Sequence, residues 1–282
     1  TGSKNIAIGA FSLQALTTDS SNVAIGYESQ CANTSGTYNV TVGDSAGRKG
    51  TTATGSTAIG FATLCANLTG GDNTGVGCNV LRNTICGCNV AVGACALYSN
   101  TCGERNIAIG RLAGCKNTTG YNAVAVGNEA LRCNTTGYRN VAIGAYAGCC
   151  NISGSDNTLI GYAAGLCNCT TFNNVGIGFY ALMRNQSAGT TGVGAYSLCS
   201  NTTGASNTAI GILAMASNST GSCNVAVGSC SLCSNTTGIK NTVIGANALC
   251  SLTTANGNIA VGFNTMCTNV TGCGNTAVGN CA

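Results

Sequence analysis

The sequence predicts an all-β chain, a parallel β-solenoid of 17 coils with a 17-residue repeat. Three observations carry that expectation. A glycine recurs from Gly9 through Gly26 and Gly43 to Gly279, 17 times in all, at intervals of 17 residues apart from two of 16. β-Branched residues stand one and three places before it, and an Asn-Thr-Thr-Gly signal lies between one such segment and the next. Repetition at a fixed short period marks a stacked architecture, and 17 residues cannot hold the two helices that an α-solenoid unit needs.

Each segment of the unit follows from its chemistry. The pair Ile6/Ile8, Val23/Ile25, Val90/Val92 or Val225/Val227 lies two residues apart and therefore shares one face of a strand. The small residue between, as Ala7, Ala24, Ala91 or Ala226, points the other way, so both faces are apolar and both are expected to be covered. After the glycine a second apolar pair, such as Ala96-Leu97, Ala130-Leu131, Ala181-Leu182 or Ala248-Leu249, reads as a second short strand. Asn-Thr-Thr-Gly then supplies residues that turn. The intervals Gly77 to Gly93 and Gly178 to Gly194 each lack one residue, a deletion placed in the turn. An asparagine opens the first strand in every unit except three, where Ser56, Ala123 and Thr190 stand. Stacked in register, these side chains form a coil-to-coil amide ladder, with Asn122 able to restore the rung at Ala123 by a local slip. No break in period or composition divides the chain, so 1–282 reads as a single repeat domain, a segment of a longer fibre.

Composition narrows the function. Histidine, proline and tryptophan are absent, and only 6% of residues are charged. A Ser-His-Asp triad, a Cys-His pair and a zinc-histidine site therefore have no imidazole to use. The acids Asp19, Glu28, Asp44, Asp72, Glu104, Glu129 and Asp156 are scattered, without the convergence that paired-carboxylate catalysis or calcium needs. No enzyme and no cofactor is expected. Eleven basic residues, thinly spread, make no nucleic-acid stripe, and no apolar run is long enough for membrane insertion.

Asn89-Val90-Ala91-Val92-Gly93-Ala94-Cys95-Ala96-Leu97 resembles the head repeats of trimeric autotransporter adhesins and is similar to Asn-Thr-Ala-Val-Gly repeats of phage and viral fibres. The resemblance covers essentially the whole chain. It implies a left-handed parallel β-roll, self-association as a homotrimer, and attachment; the uncapped repeats suggest an end-to-end filament instead. The unit is longer than the usual head repeat, and cysteine is abundant where those heads lack it.

Twenty-one cysteines are phased with the repeat. Cys31, Cys65, Cys115, Cys149, Cys199, Cys233, Cys250 and Cys267 all lie five residues after the reference glycine, a candidate coil-to-coil disulfide ladder. Cys95 with Cys102, or Cys267 with Cys273, would bridge within a unit. Bridges imply an oxidising, extracellular setting, at a cell or virion surface. The alternatives are a metal site, for which matched Cys-x2-Cys spacing is missing apart from Cys230 and Cys233, and small buried apolar residues. Asn33, Asn67, Asn117, Asn134, Asn151, Asn168, Asn185, Asn201, Asn218, Asn235 and Asn269 are candidate N-glycosylation sites in one turn column, unless the turn itself selects them. The adjoining Thr-Thr column raises ice binding.

The expected function is the structural body of an extracellular or virion-surface fibre, disulfide-stapled and self-associating. The competing expectation is an adhesin or tail-fibre head that binds a host receptor or glycan. A receptor reader should break the repeat with an inserted loop or an aromatic patch. Phe11, Tyr27, Phe61, Tyr146, Tyr162, Phe179, Tyr180, Tyr196 and Phe263 fall mostly one or two places after the glycine, which reads as a scattered outer stripe.

Overall fold

The structure, a computed structural model, describes residues 2–282. It is an all-β solenoid of about 16 turns, without helix among the described residues. The chain divides into two compact units, Thr1–Asn140 and Val141–Ala282. The first carries strands β1 (Ile6–Ile8) to β8 (Val124–Val126), the second β9 (Val141–Ile143) to β17 (Thr276–Val278). Within each unit every strand pairs in parallel and in register with its successor, Ile6 opposite Val23 and Thr208 opposite Val225. The register passes unbroken across both short repeats, Thr74 opposite Val90 and Val175 opposite Thr191, so each deletion lies in a turn as expected.

Each strand is three residues long. Its central residue, Ala91, Ala142, Leu159 or Ala226, is buried, and the flanking β-branched residues point outward. The outer face is therefore not covered: Ile107 and Ile109 remain 40% and 42% exposed. The second apolar pair is no strand either. Leu97, Leu182 and Leu249 stand at φ 48°, 53° and 48°, a left-handed conformation that a strand cannot contain. Their N–H groups still bond across to the next coil, on Ala113, Ser197 and Thr265 carbonyls. A left-handed conformation costs an L-residue about 1–2 kcal/mol, which full burial of a leucine, worth about 1.5–3 kcal/mol, offsets.

Two asparagine columns line the interior with these apolar residues. In the first, at the strand start, each Oδ1 accepts the backbone N–H of the next rung: Asn224 from Asn241 at 2.9 Å, Asn241 from Asn258 at 2.9 Å. Ser56 continues the column through its hydroxyl, which accepts from the Asn73 N–H. At Ala123 the rung is not restored; Asn122 lies exposed at φ 53°, and Ala123 keeps the register because its own N–H still reaches Asn106 Oδ1.

Replacing Asn224 by Ala leaves the buried Asn241 N–H without its acceptor and Gly238 O without one of its donors. The expected cost is about 1–3 kcal/mol, read as a lower urea midpoint together with faster hydrogen exchange at Asn241.

Candidate functional site

The second asparagine column is the one that was expected to turn and to carry glycans. Asn33, Asn67, Asn117, Asn134, Asn151, Asn168, Asn185, Asn201, Asn218 and Asn235 are instead buried inside the coil; Asn269 alone is half-buried. Asn218 Nδ2 donates to Gly221 O in its own turn at 2.9 Å and to Asn201 Oδ1 in the preceding coil at 2.7 Å. Asn235 does the same toward Gly238 O and Asn218 Oδ1. In Asn218 and Asn235 both amide hydrogens are committed. All ten interior asparagines are buried, so a glycan on that nitrogen has no space in the folded coil. Intact-mass analysis of the protein secreted from a glycosylating host should show no hexosamine on them.

The two columns meet at one carbonyl per coil. Gly221 O accepts from Asn218 and, at 2.7 Å, from Asn207 of the first column; Gly36 O accepts from Asn33 and Asn22. A Cβ on Gly221 would run into Gly238 O of the next coil, although Ala53, Thr171 and Ala255 hold the same place and accept the same kind of bond elsewhere. The adjoining threonines are also engaged. Thr118 Oγ1 donates to Thr135 O at 2.9 Å and Thr202 Oγ1 to Ser219 O at 2.9 Å, so these hydroxyls serve the coil stack rather than an outer lattice.

The first unit contains a defect in this interior. Gln30 takes a leucine position, is 4% exposed, and leaves Oε1 without a partner. It borders a cavity of about 20 Å³ lined also by Asn39, Ser56 and Gly47, room for about one water. Gln30→Leu should raise the urea midpoint, by about 1–3 kcal/mol for removal of the orphaned carbonyl.

Among the described residues one disulfide is present, linking Cys86 to Cys102 on adjacent coils with Cα atoms 4.8 Å apart. It lies in the turn shortened by deletion, where Thr84 replaces the column asparagine and receives the Asn100 amide. Coil-to-coil bridging is thus realised, in a different column from the eight cysteines singled out, and Cys102 pairs with Cys86 rather than with Cys95. In the eight-cysteine column Cys65 and Cys149 are buried, while Cys31, Cys115, Cys199, Cys233, Cys250 and Cys267 are half-buried. Cys233, Cys250 and Cys267 stack on consecutive coils, Cys233 Sγ donating to Cys250 O at 3.4 Å and Cys250 Sγ to Cys267 O at 3.5 Å. Cys273 is exposed, its thiol directed to Thr271 O.

Burial pushes the Cys233 thiol up, and Cys230 and Cys250 add to the shift against the Ser234 hydroxyl. Burial likewise pushes up Cys115, helped by Cys95 and opposed by Lys116 and Arg132. Since the thiolate is the reactive form, iodoacetamide near neutral pH should label exposed Cys88 and Cys223 well before Cys115 and Cys233. The latter two should accelerate only above the ordinary thiol range, as peptide mapping would show.

Acids do not converge. Glu28 pairs with Arg48 at 3.1 Å, Glu129 with Arg132 and Arg111 at 2.9 and 3.5 Å, and Asp19 lies buried, its carboxyl raised by desolvation against the Thr18 hydroxyl. Among the described residues no group of three or more His, Cys, Asp or Glu side chains is arranged to hold a metal ion, and no helix is long and apolar enough to cross a membrane.

Two outward features remain. The first is the pair of β-branched columns on the strand face. The second is aromatic: Tyr146, Tyr162, Phe179, Tyr180 and Tyr196 occupy four successive coils of the second unit and touch as one cluster, with centroids 4.4–5.8 Å apart. Sequence spacing showed these rings as a scattered stripe; closing the coil brings positions one and two after the glycine together across neighbouring turns. No protein-family model, curated protein or solved structure matches this chain.

Proposed function

We propose that the chain is the repetitive body of an extracellular or virion-surface fibre that associates with further copies of itself through the outer strand face. One observation carries this reading. The outward residues of the strand wall are Ile, Val or Thr in every coil of both units, and many stay 36–58% exposed, among them Ile6, Ile8, Val40, Ile59, Ile107, Ile109, Ile210, Ile244 and Ile259. A continuous apolar surface of this kind is uncommon on a protein that works alone. The backbone of this wall is already paired along the stack, so the face offers side-chain packing and no free strand edge.

The Cys86–Cys102 bridge supports an oxidising location, as does the number of cysteines in the chain. The adhesin or fibre-head reading is favoured by a separate observation, the aromatic cluster, because five rings on four successive coils are joined there, against the pair Phe11 and Tyr27 at the same positions of the first unit.

Sedimentation equilibrium checks the self-association. The native chain should run as a multimer at high micromolar concentration. Ile107→Lys with Ile109→Lys, and separately Ile244→Lys with Ile259→Lys, should shift it toward monomer with an unchanged far-ultraviolet circular dichroism spectrum. A native monomer, or lysine variants of unchanged mass, defeats the proposal. Cys86→Ser with Cys102→Ser should cost about 3 kcal/mol, the loop-closure value for a bridge of this span, read as a lower denaturation midpoint.

A further inference from the structure

We infer that the aromatic cluster of the second unit is a binding site for a neutral, linear oligosaccharide lying along the stacking direction of the coils. This rests on the binding-module reading and is independent of the strand-face contact.

The backbone does not ask for rings here. Tyr146, Tyr180 and Tyr196 stand at φ 60°, 55° and 57°, a left-handed region unfavourable for bulky side chains. Other coils fill the equivalent place with Leu213, Cys230, Asn247 and Asn264, at φ 59°, 52°, 54° and 53°, and asparagine tolerates that conformation better than a bulky residue. The column is left-handed whatever it carries, so the backbone does not select its three tyrosines. Nor does the interior need them, since Tyr162, Phe179 and Tyr196 stay 43%, 43% and 40% exposed.

Their arrangement selects a ligand. Tyr162 and Phe179 are nearly parallel at 5.5 Å, and Tyr196 follows edge-on to Phe179, 72° apart in plane at 5.4 Å, so exposed ring carbon, by edge as well as by face, continues from coil to coil. Tyr180 packs edge-on against both Tyr162 and Phe179 and fixes their orientation. The phenols of Tyr162, Tyr180 and Tyr196 come close enough to hold the Tyr180 hydroxyl above its ordinary value, after desolvation as the first cause. The surface thus offers apolar ring area bordered by hydroxyls that donate and accept. A pyranose has the complementary form, an apolar C–H face rimmed by hydroxyls, and a linear oligosaccharide presents such faces in succession.

Charge supports neutrality. In the first unit the same two positions carry Glu28, Asp44, Arg111 and Glu129, whereas throughout the second unit they carry no charged residue. A second copy of this chain is the poorer occupant, because a contact between repetitive surfaces would use every coil and this one uses four.

The chain lacks tryptophan, so its ultraviolet emission comes from tyrosine and reports on the site directly. Titration with cellohexaose, chitohexaose and maltohexaose should give a saturable change with at least one of them, and a heparin hexasaccharide should bind more weakly. Phe179→Ala keeps every tyrosine and should weaken binding about tenfold, in the range of a single aromatic stacking contact. Phe179→Tyr should restore it, and Phe11→Ala, in the first unit, should leave it unchanged. Circular dichroism verifies that each variant is folded. Absence of binding to all three neutral hexasaccharides overturns the site, as does equal affinity in Phe179→Ala or equal affinity for the acidic saccharide. A change of sedimentation mass in Phe179→Ala without loss of saccharide binding overturns it in favour of a second copy. The strand-face lysine variants should bind saccharide normally, so failure here and failure of the fibre reading are separable.

Discussion

The structure depends on a doubly used carbonyl. At Gly221 and Gly238 one backbone oxygen accepts from an asparagine of its own turn and from an asparagine of the preceding coil's strand start. Each coil is thereby closed on itself and fastened to its neighbour by the same atom. A coil of 17 residues encloses a narrow lumen that alanine and leucine alone fill only in part. Amides complete it, and at Asn218, Asn224, Asn235 and Asn241 their cost of burial is met because Nδ2 and Oδ1 have partners in the stack. In a low-dielectric interior such chains of hydrogen bonds strengthen one another, which makes the columns a source of order along the stack as well as of stability within a coil.

In several coils the apolar part of the lumen conserves volume across neighbouring positions, although at Gly114 and Gly148 the strand centre remains Ala108 and Ala142. Where the leucine place holds Gly165, the strand centre becomes Leu159, whose methyls occupy the space a Cβ on Gly165 would need. Where it holds Gly47, Thr41 replaces the usual alanine and fills part of the gap. Where the strand centre shrinks to Gly75, Val80 grows in compensation. Conserving total volume while exchanging partners is what a close-packed interior permits. Compensation falters near Gln30, where Gly47 and Gly50 are both small, and the cavity and the orphaned amide oxygen appear together.

How much of this the sequence shows depends on whether a feature is local or created by coil closure. The repeat, the strand with its outward pair and the first asparagine ladder are local periodicities, and Asn5, Asn22 and Asn241 stand where reading by register puts them. The direction of Asn235 is not local. Asn-Thr-Thr-Gly is equally good turn chemistry whether its amide faces water or the lumen, and only the neighbouring Asn218 Oδ1 decides. Leu97 and Leu249 mislead for a related reason, since apolar pairs suggest a strand while burial holds each at positive φ. Cys86 and Cys102 share a column only once the missing residue is assigned to their turn. Tyr162, Phe179 and Tyr180 touch through two different positions on adjacent coils, a relation that period alone does not reveal.

The same closure divides the chain's freedom between its two sides. Inward positions are bound to one another through shared hydrogen bonds and shared volume, so a change at one can be met by a change at its neighbour, as Gly165 and Leu159 illustrate. Outward positions differ among themselves. The strand pair stays β-branched because the strand needs it, and it is therefore uniform in every coil, a surface suited to meeting another uniform surface. The two residues after the glycine bear no such demand. They accept Glu28, Arg111, Asn247 or Tyr180 without disturbing register, and the left-handed one even prefers asparagine. Chemical individuality in this fold accumulates there and at the two outward residues after the turn-glycine position, which carry Tyr38, Tyr138-Arg139, Phe172 and Lys240 in different coils; at the first pair of columns in the second unit it has taken the form of contiguous rings rather than charges. A repeat that is bound together inside and uniform along one wall thus leaves only such outward, variable columns on which a specific ligand can be distinguished, and the aromatic cluster lies on one pair of them.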